Sequence, residues 1–421
     1  MSNTRNSSTA KRGNPGSQGA SRSRRGPRFG AFSVVTIVRN EAGRLPGLLE
    51  SLAPFRSLGG EVVVLDTGSA DNTSEIAGQA GCVVARRPRQ FERALTQAQA
   101  TAIHRAFARG GEGPLVRAGD RVFNIAAARN AADGLARNDF ILGVDASDRF
   151  EAFDLPQIEA RIKEGDPAIL PFETRRLHRG RWVLELRDYF HDRRRAAWFG
   201  RAHNYVAGRK GGSPSEKTLL PRDCLRVTHY TESTKDRGYQ ITGLALDVLE
   251  SPSLVHRRLV LGAELTARGF HQSALALFEG LDRPDIHASV RSSALSMASN
   301  CLRATGADSG EAADLLFRAM RRDPSHRHPF LNLARISLRR GDFQGAVSLA
   351  TAALAIPPRV TFSQLEENLR DGPHAVLYWA LLWLGRKAEA AEHFRLCREA
   401  RPDSSIYLEH SRFFPGSTTD L

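Results

Sequence analysis

Short apolar runs separated by amphipathic stretches begin at Phe32 and continue to about residue 238, an alternation that predicts the strands and helices of an open α/β sheet. Phe32–Val38 and Glu61–Asp66 (EVVVLD) are near-continuous apolar runs, the pattern of strands buried on both faces. Between them Leu45, Leu48, Leu49 and Leu52 fall on one helical face, with Asn40 available as its cap. A second helix, Asp71–Ala80, is stopped by Gly81 and followed by a strand, Cys82–Ala85, so this stretch reads βαβαβ. Residues 90–121 read as an insertion with one helix, about Glu92–Ala108, and a Gly-rich turn, GGEGP. The pattern resumes with a helix near Asn124–Arg137, a strand Phe140–Asp145, a helix Asp154–Lys163 and strands Ala168–Phe172 and Trp182–Arg187.

From Gly238 to Arg401 the strand-type runs vanish and Ala, Leu and Arg recur at helical spacing. One pattern occurs three times with identical internal spacing: Ala312, Leu316, Ala319, Pro324; Ala346, Ala350, Ala353, Pro358; Ala390, Phe394, Cys397, Pro402. The first offset is 346 − 312 = 34 residues, and the second is 390 − 346 = 44, which leaves ten residues for an insertion around Thr361–Gly372. Gly269, Ala274, Phe278 and Leu281 form a degenerate earlier unit without the proline. Small residues let two antiparallel helices approach closely and the proline ends the second, so the repeats resemble tetratricopeptide helical hairpins.

Composition changes this picture in three ways. No run of 18 apolar residues appears, which excludes a helical membrane span. The four cysteines, Cys82, Cys224, Cys301 and Cys397, lie too far apart for a zinc-ligand spacing, and a reducing, cytoplasmic setting is expected. Sixty basic against 46 acidic residues give +14, and half of that excess sits in residues 1–31, where Arg5, Lys11, Arg12, Arg22, Arg24, Arg25 and Arg28 face no acid. That stretch has little to bury and reads as a disordered basic tail with weak, non-specific affinity for polyanions.

Polar residues beyond the carboxyl ends of strands are where an open α/β sheet binds ligands. Three such places are VRNE (38–41), LDTGSADNT (65–73) and VDASD (144–148). With FNIAAARN (123–130) they resemble, in this order, glycosyltransferase family 2, and most closely the subgroup of core-lipopolysaccharide glucosyltransferase-like proteins and peptide S-glycosyltransferases. The resemblance implies a GT-A fold, a Rossmann-like open sheet, over residues 32–240, followed by a linker at 241–256, tetratricopeptide-like helical repeats at 257–405 and a tail at 406–421.

The resemblance also assigns roles. A nucleotide-sugar donor, UDP-linked or another, is expected against Val38, Asn40, Glu41, Asp66, Arg129, Asn130 and Asp145, with the Asp66 carboxylate accepting from the base and Arg129 suited to phosphate. A divalent cation, Mg²⁺ or Mn²⁺, is expected on Asp145, Asp148 and His229. The chain departs from the family where an Asp-x-Asp becomes Asp145, Ala146, Ser147, and where a His-Glu pair becomes His203, Asn204. An inverting transfer needs a base on the acceptor side, for which His203, Glu185 and Asp188 are candidates. HDRRR (191–195) reads as a solvated loop or as a contact for an anionic acceptor. The reading is a hexosyltransferase-type enzyme with a peptide or protein partner in the repeat groove; the alternative is a catalytically impaired protein that binds peptides through its repeats.

Overall fold

The computed structural model describes residues 30–178, 181–209, 217–230, 238–306, 309–358, 363–365, 368 and 370–414; the basic stretch 1–29 lies outside them. Five strands form the first sheet. They are β1 (Ser33–Val38), β2 (Glu61–Asp66), β3 (Val83–Arg86), β6 (Phe140–Val144) and β10 (Phe190–Asp192), in the order β10-β6-β1-β2-β3. β6, β1, β2 and β3 run parallel and β10 closes the edge antiparallel to β6. Burial on both faces explains their continuous apolar runs.

Helix α1 (Leu45–Ser51) buries Leu45, Leu48 and Leu49 as its spacing predicts, and α2 (Ala53–Ser57) adds Phe55, which stacks on Phe32 at 5.1 Å. Asn40 does not cap α1, whose N-cap is Arg44; it adopts φ 54° in the preceding turn. α3 (Thr73–Gln79) follows β2.

The helix expected at Glu92–Ala108 is shorter, because a strand takes its first residues. β4 (Glu92–Ala94) pairs with β5 (Arg121–Phe123), and α4 (Gln97–Phe107) begins only after Thr96, whose hydroxyl accepts from Gln99 N while the Gln99 side chain accepts from Thr96 N. α5 (Ile125–Asp133) is capped by the Asn124 side chain.

After β6 the chain enters a second sheet: β7 (Asp148–Phe153), β8 (Phe172–His178), β9 (Arg181–Arg187), β13 (Leu225–Tyr230) and β14 (Ser363–Leu365), ordered β14-β9-β8-β13-β7. α6 (Leu155–Gly165) lies between β7 and β8, and β11 (Ala196–Phe199) pairs with β12 (Tyr205–Gly208). The expected strand Ala168–Phe172 is reduced to bridges at Ile169, because Pro171 cannot donate to a ladder, and β8 starts only at Phe172.

Among the described residues, most of the stretch 241–256 is helical. Residues 241–250, read as connecting chain, belong to α7 (Gly238–Glu250), which buries Ile241, Leu244, Ala245, Leu246 and Val248. That core is shared: Leu95, Ile103 and Phe107 of the 90–121 stretch pack with Leu259, Leu265 and Phe278 of the helices that follow. Those helices pair as hairpins: α8 (Val255–Ala267) with α9 (His271–Glu279), α10 (Ala288–Ala304) with α11 (Ser309–Arg322), α12 (Arg327–Arg339) with α13 (Phe343–Ala355), and Gly372–Trp383 with Lys387–Ala400. The repeat positions Ala312, Leu316, Ala319, Ala346, Ala350, Ala353, Ala390, Phe394 and Cys397 are all buried on the second helix of a hairpin. In the degenerate unit a Cβ added at Gly262 would meet the Phe278 ring at 2.4 Å, so only glycine permits that approach. The tail read at 406–421 holds a helix, Ser405–His410, whose Tyr407 is buried in the last hairpin's core; residues 415–421 lie outside the described residues.

Candidate functional site

Because β1, β2 and β6 are parallel, their three polar loops emerge at one edge of the first sheet. The chain runs outward from β1 to β2 and β3, then crosses to β6 on the other side of β1, which creates a switch point between the VRNE loop and the Asp145 turn.

The VRNE and DTGSADNT loops brace each other. Asn40 Oδ1 accepts from Ala70 N at 2.8 Å, Ser69 Oγ accepts from Asn40 N at 3.0 Å, and Thr73 Oγ1 accepts from Glu41 N at 2.9 Å. Asp71 accepts from Ala42 N, and both Thr67 N and its hydroxyl donate to the Val38 carbonyl. Glu41 is buried and pairs with Arg44 at 2.7 Å.

Asp66 is fully buried and organises this loop. Its Oδ1 accepts from Gly68 N at 2.8 Å and Ser69 N at 2.7 Å, and its Oδ2 accepts from the Ser74 hydroxyl. Burial pushes its pKa up, but these donors outweigh burial and hold it below the usual carboxylate range. Among the described residues its oxygens accept from its own turn, with the Arg86 guanidinium 3.5 Å from Oδ2. Gly68, at φ 120° against Pro88, supplies the bend that only glycine adopts readily.

Asp145 and Asp148 close the turn from β6 into β7: Asp145 N donates to Asp148 Oδ2 at 2.8 Å, and Asp148 N donates to the Asp145 carbonyl at 2.9 Å. His229 stands opposite Asp148 in the β13–β7 register, its Nδ1 2.7 Å from Asp148 Oδ1 and 3.8 Å from Asp145 Oδ2. One ligand atom from each of Asp145, Asp148 and His229 lies within 4.8 Å of the others. Two carboxylates and an imidazole at that spread fit a divalent cation in donor chemistry, because metal–ligand distances of about 2.0 to 2.6 Å let a single ion bridge them. The Asp148 side chain is 1% exposed and that of Asp145 33%, so the cluster opens to solvent on the Asp145 side.

Two guanidinium groups neutralise the pair. Arg129 Nη2 donates to Asp145 Oδ1 at 2.5 Å, and Arg187 Nη1 donates to Asp148 at 3.0 and 3.2 Å. Burial alone would raise the Asp145 pKa; Arg129, Arg187 and His229 bring it well below the ordinary value. The Arg129 guanidinium lies 5.0 Å from the Tyr189 ring centre and 4.6 Å from that of Trp198. Burial raises the Tyr189 pKa, against the opposing pull of Arg129 and Arg187.

The other predicted residues divide. The Asn130 amide donates to the Trp198 carbonyl at 2.9 Å and accepts from Trp198 N at 3.0 Å, fastening β11 to α5. Glu185 joins the cluster's face: it pairs with Arg176 at 2.6 Å, Arg176 stands beside His229 in the sheet, and Arg187 lies two residues along β9. Asp188 is apart from them, with Lys217 at 2.8 Å. His203, at φ 45°, meets Glu264 of α8 at 2.7 Å, so the carboxylate that the next residue, Asn204, does not supply arrives from the repeats. HDRRR is no solvated loop, since His191 and Asp192 are buried in β10 and Arg193 donates to the Asp133 and Ala136 carbonyls.

Arg187, Tyr189 and Arg176 were missed in the sequence. Arg187 follows Glu185 in β9 at an interval of two, the period that places strand residues on one face, and that alternation was the available signal. A separate cavity of about 230 Å³ opens beside α5, lined in part by Glu92, Arg93, Asn124 and Arg201 and not by the aspartates.

Residues 33–109 match the family model for glycosyl transferase family 2. No curated protein matches the chain. Among solved structures, the crystal structure of MamA protein shares 17% identity over 42% of this chain and 85% of that chain, with a TM-score of 0.30. MamA from Desulfovibrio magneticus RS-1 shares 15% identity over 38% of this chain and 82% of that one, with a TM-score of 0.32. YrrB, described as a TPR protein with an unusual peptide-binding site, shares 12% identity over 41% of this chain and 82% of that one, with a TM-score of 0.31. The chain thus carries a family 2 glycosyltransferase domain followed by tetratricopeptide-like helical hairpins. No helix among the described residues is long and apolar enough to cross a membrane.

Proposed function

We propose that the protein transfers a sugar, with inversion, from a nucleotide-sugar bound at the switch point between β1 and β6. The observation that carries this reading is the Asp145–Asp148–His229 cluster at the sheet junction, one strand away from the braced VRNE loop, with the family match supporting glycosyltransferase activity in general. Adjacent strands lie about 4.8 Å apart, so the Asp66 loop and the Asp145 turn, two strands apart, are separated by about 10 Å, a span suited to a nucleoside diphosphate.

Asp145, Asp148 and His229 would hold Mg²⁺ or Mn²⁺, which supplies charge neutralisation for the departing diphosphate. Arg129 and Arg187 hold the two carboxylates in place. Arg129, packed against Tyr189 and Trp198, presents a rigid positive wall beside Asp145. Glu185 is the base of choice on the acceptor side, because it alone of Glu185, Asp188 and His203 shares a face with the cluster. UDP is the preferred nucleotide and the setting a reducing cytoplasm, both carried over from the family likeness and the unpaired cysteines.

The test is release of UDP from a panel of UDP-sugars by the full-length protein, with Glu185→Gln as the control. Loss of about 10²-fold or more in rate, with UDP affinity kept, agrees with a base role. Absence of UDP release from every donor, with UDP still bound, favours the second reading, a protein that binds without transferring. That reading draws on Asn204, which stands where a carboxylate is expected and whose buried Nδ2 has no partner among the described residues.

A further inference from the structure

The outer edge of β9 is covered by a segment that the repeat architecture does not require. Consecutive repeat motifs are 34 residues apart (346 − 312) and then 44 (390 − 346), and the extra length contains β14. β14 pairs antiparallel with β9, Ser363 opposite Glu185, Gln364 opposite Leu184 and Leu365 opposite Val183. Three residues later Asn368 is buried against α12: Arg335 donates to its Oδ1 at 2.9 Å, and its Nδ2 lies 3.4 Å from His328 Nδ1. Asn332, one turn along the same helix, stands 3.0 Å from the other nitrogen of His328. The two attachments form one track, which runs from the sheet that carries the aspartate cluster to a polar stripe on the repeats.

A strand edge offers a row of backbone donors and acceptors that any extended chain can satisfy, and among the described residues the far end is anchored by the Asn368 side-chain amide. The register matters most. Residue 363, a serine, stands at the level of Glu185, and Arg187, which holds Asp148, is two residues further along β9. A chain on this edge therefore brings a hydroxyl-bearing residue to the level of the candidate base.

Resting on the transferase reading above, we propose that the β9 edge is the docking edge for an extended polypeptide acceptor carrying a hydroxyl side chain, and that β14 is the chain's own stand-in for it. The acceptor adds as a strand to β9 and takes the place of Asn368 on His328 and Arg335. A three-residue ladder is short enough to exchange, while its tether gives it an effective concentration on the order of millimolar against any incoming peptide.

The experiment uses the full-length protein and a fluorescent peptide of residues 359–368, RVTFSQLEEN, read by anisotropy. Gln364→Pro weakens the strand pairing and Asn368→Ala releases the other anchor, so the result does not hang on one variant. Both variants are expected to bind the peptide at least about tenfold more tightly than the wild type, because the tethered competitor has been weakened. Equal affinity across the three proteins, or no binding to any, would overturn the proposal. UDP affinity, measured by calorimetry on the same samples, is a separate readout: its absence alongside the peptide gain strikes the transferase reading and leaves the docking edge standing.

Discussion

Glu112 accepts hydrogen bonds from the backbone N–H groups of Gln272 and Ser273, at 2.7 and 3.1 Å, and from the Ser273 hydroxyl at 2.9 Å. A carboxylate from the 90–121 stretch thus caps the start of α9, 160 residues further along the chain. In return, Ser273 Oγ accepts from Arg109 N at 3.0 Å. The stretch that reads as an insertion in the first domain is one of the pieces that join it to the repeats.

Truncation after residue 240 should therefore yield insoluble protein. It removes most of α7 and all of α8 and α9, which exposes Leu95, Ile103, Phe107 and Val122 together. Size-exclusion chromatography of the truncated chain checks this; a soluble monomer that retains UDP binding would show that the shared core is dispensable. Within the full chain, Glu112→Ala should cost about 1 kcal/mol in chemical denaturation, the usual worth of an N-terminal cap.

The Arg187–Asp148 pair is buried on both sides, with side-chain exposures of 8% and 1%. Removing one partner leaves an unpaired charge inside, so Arg187→Met alone should destabilise by about 3 to 5 kcal/mol. The double change Arg187→Met with Asp148→Asn should recover part of that loss. Urea midpoints for the single and double variants measure the coupling, and simple additivity would mean that the pair does not act as a unit.

A second carboxylate makes an acid-dependence test. Asp282 collects Arg291 from α10 with Arg318 and Arg322 from α11, at 3.0, 2.8 and 2.9 Å. Burial raises its pKa, but the three guanidinium groups outweigh burial and hold it far below the ordinary value. A depressed folded pKa means the stabilisation is complete above the unfolded value of about 3.9 and fades as pH falls below it. Asp282→Asn should cost about 1 to 3 kcal/mol at pH 7, and the gap to wild type should narrow below pH 4. Denaturation curves at pH 7 and pH 3 decide; a gap that widens in acid would reverse the sign of the argument.

Local signals carried much of the fold. β1 and β2 are legible as continuous apolar runs, and the hairpins as small residues at fixed spacing, because both patterns report burial directly. Thr96 and Gln99 spell a capping box that dates the start of α4 more accurately than helical periodicity does. What stayed hidden is non-local. Nothing near Glu112 announces α9, and a three-residue strand such as β14 has no pattern of its own. In the site, the family resemblance singles out Asp145, Asp148 and His229, which the structure brings together, and the contacts of Asp66 and Asn130 within their own loops and strands carry no signal in the sequence. A motif position fixes where a side chain starts, and the partners within reach decide what it does.

The most direct measurement is calorimetric titration of the full-length protein with UDP, with Mn²⁺ or with chelator, for wild type and Asp145→Asn. Asp145 is the partner on the open side of the cluster, so its amide variant removes a ligand charge with less disturbance than a change at buried Asp148. The account predicts that UDP binds, that Mn²⁺ tightens binding by about tenfold or more, and that Asp145→Asn abolishes that gain. Absence of binding by UDP, ADP and GDP, with metal or without, would contradict it.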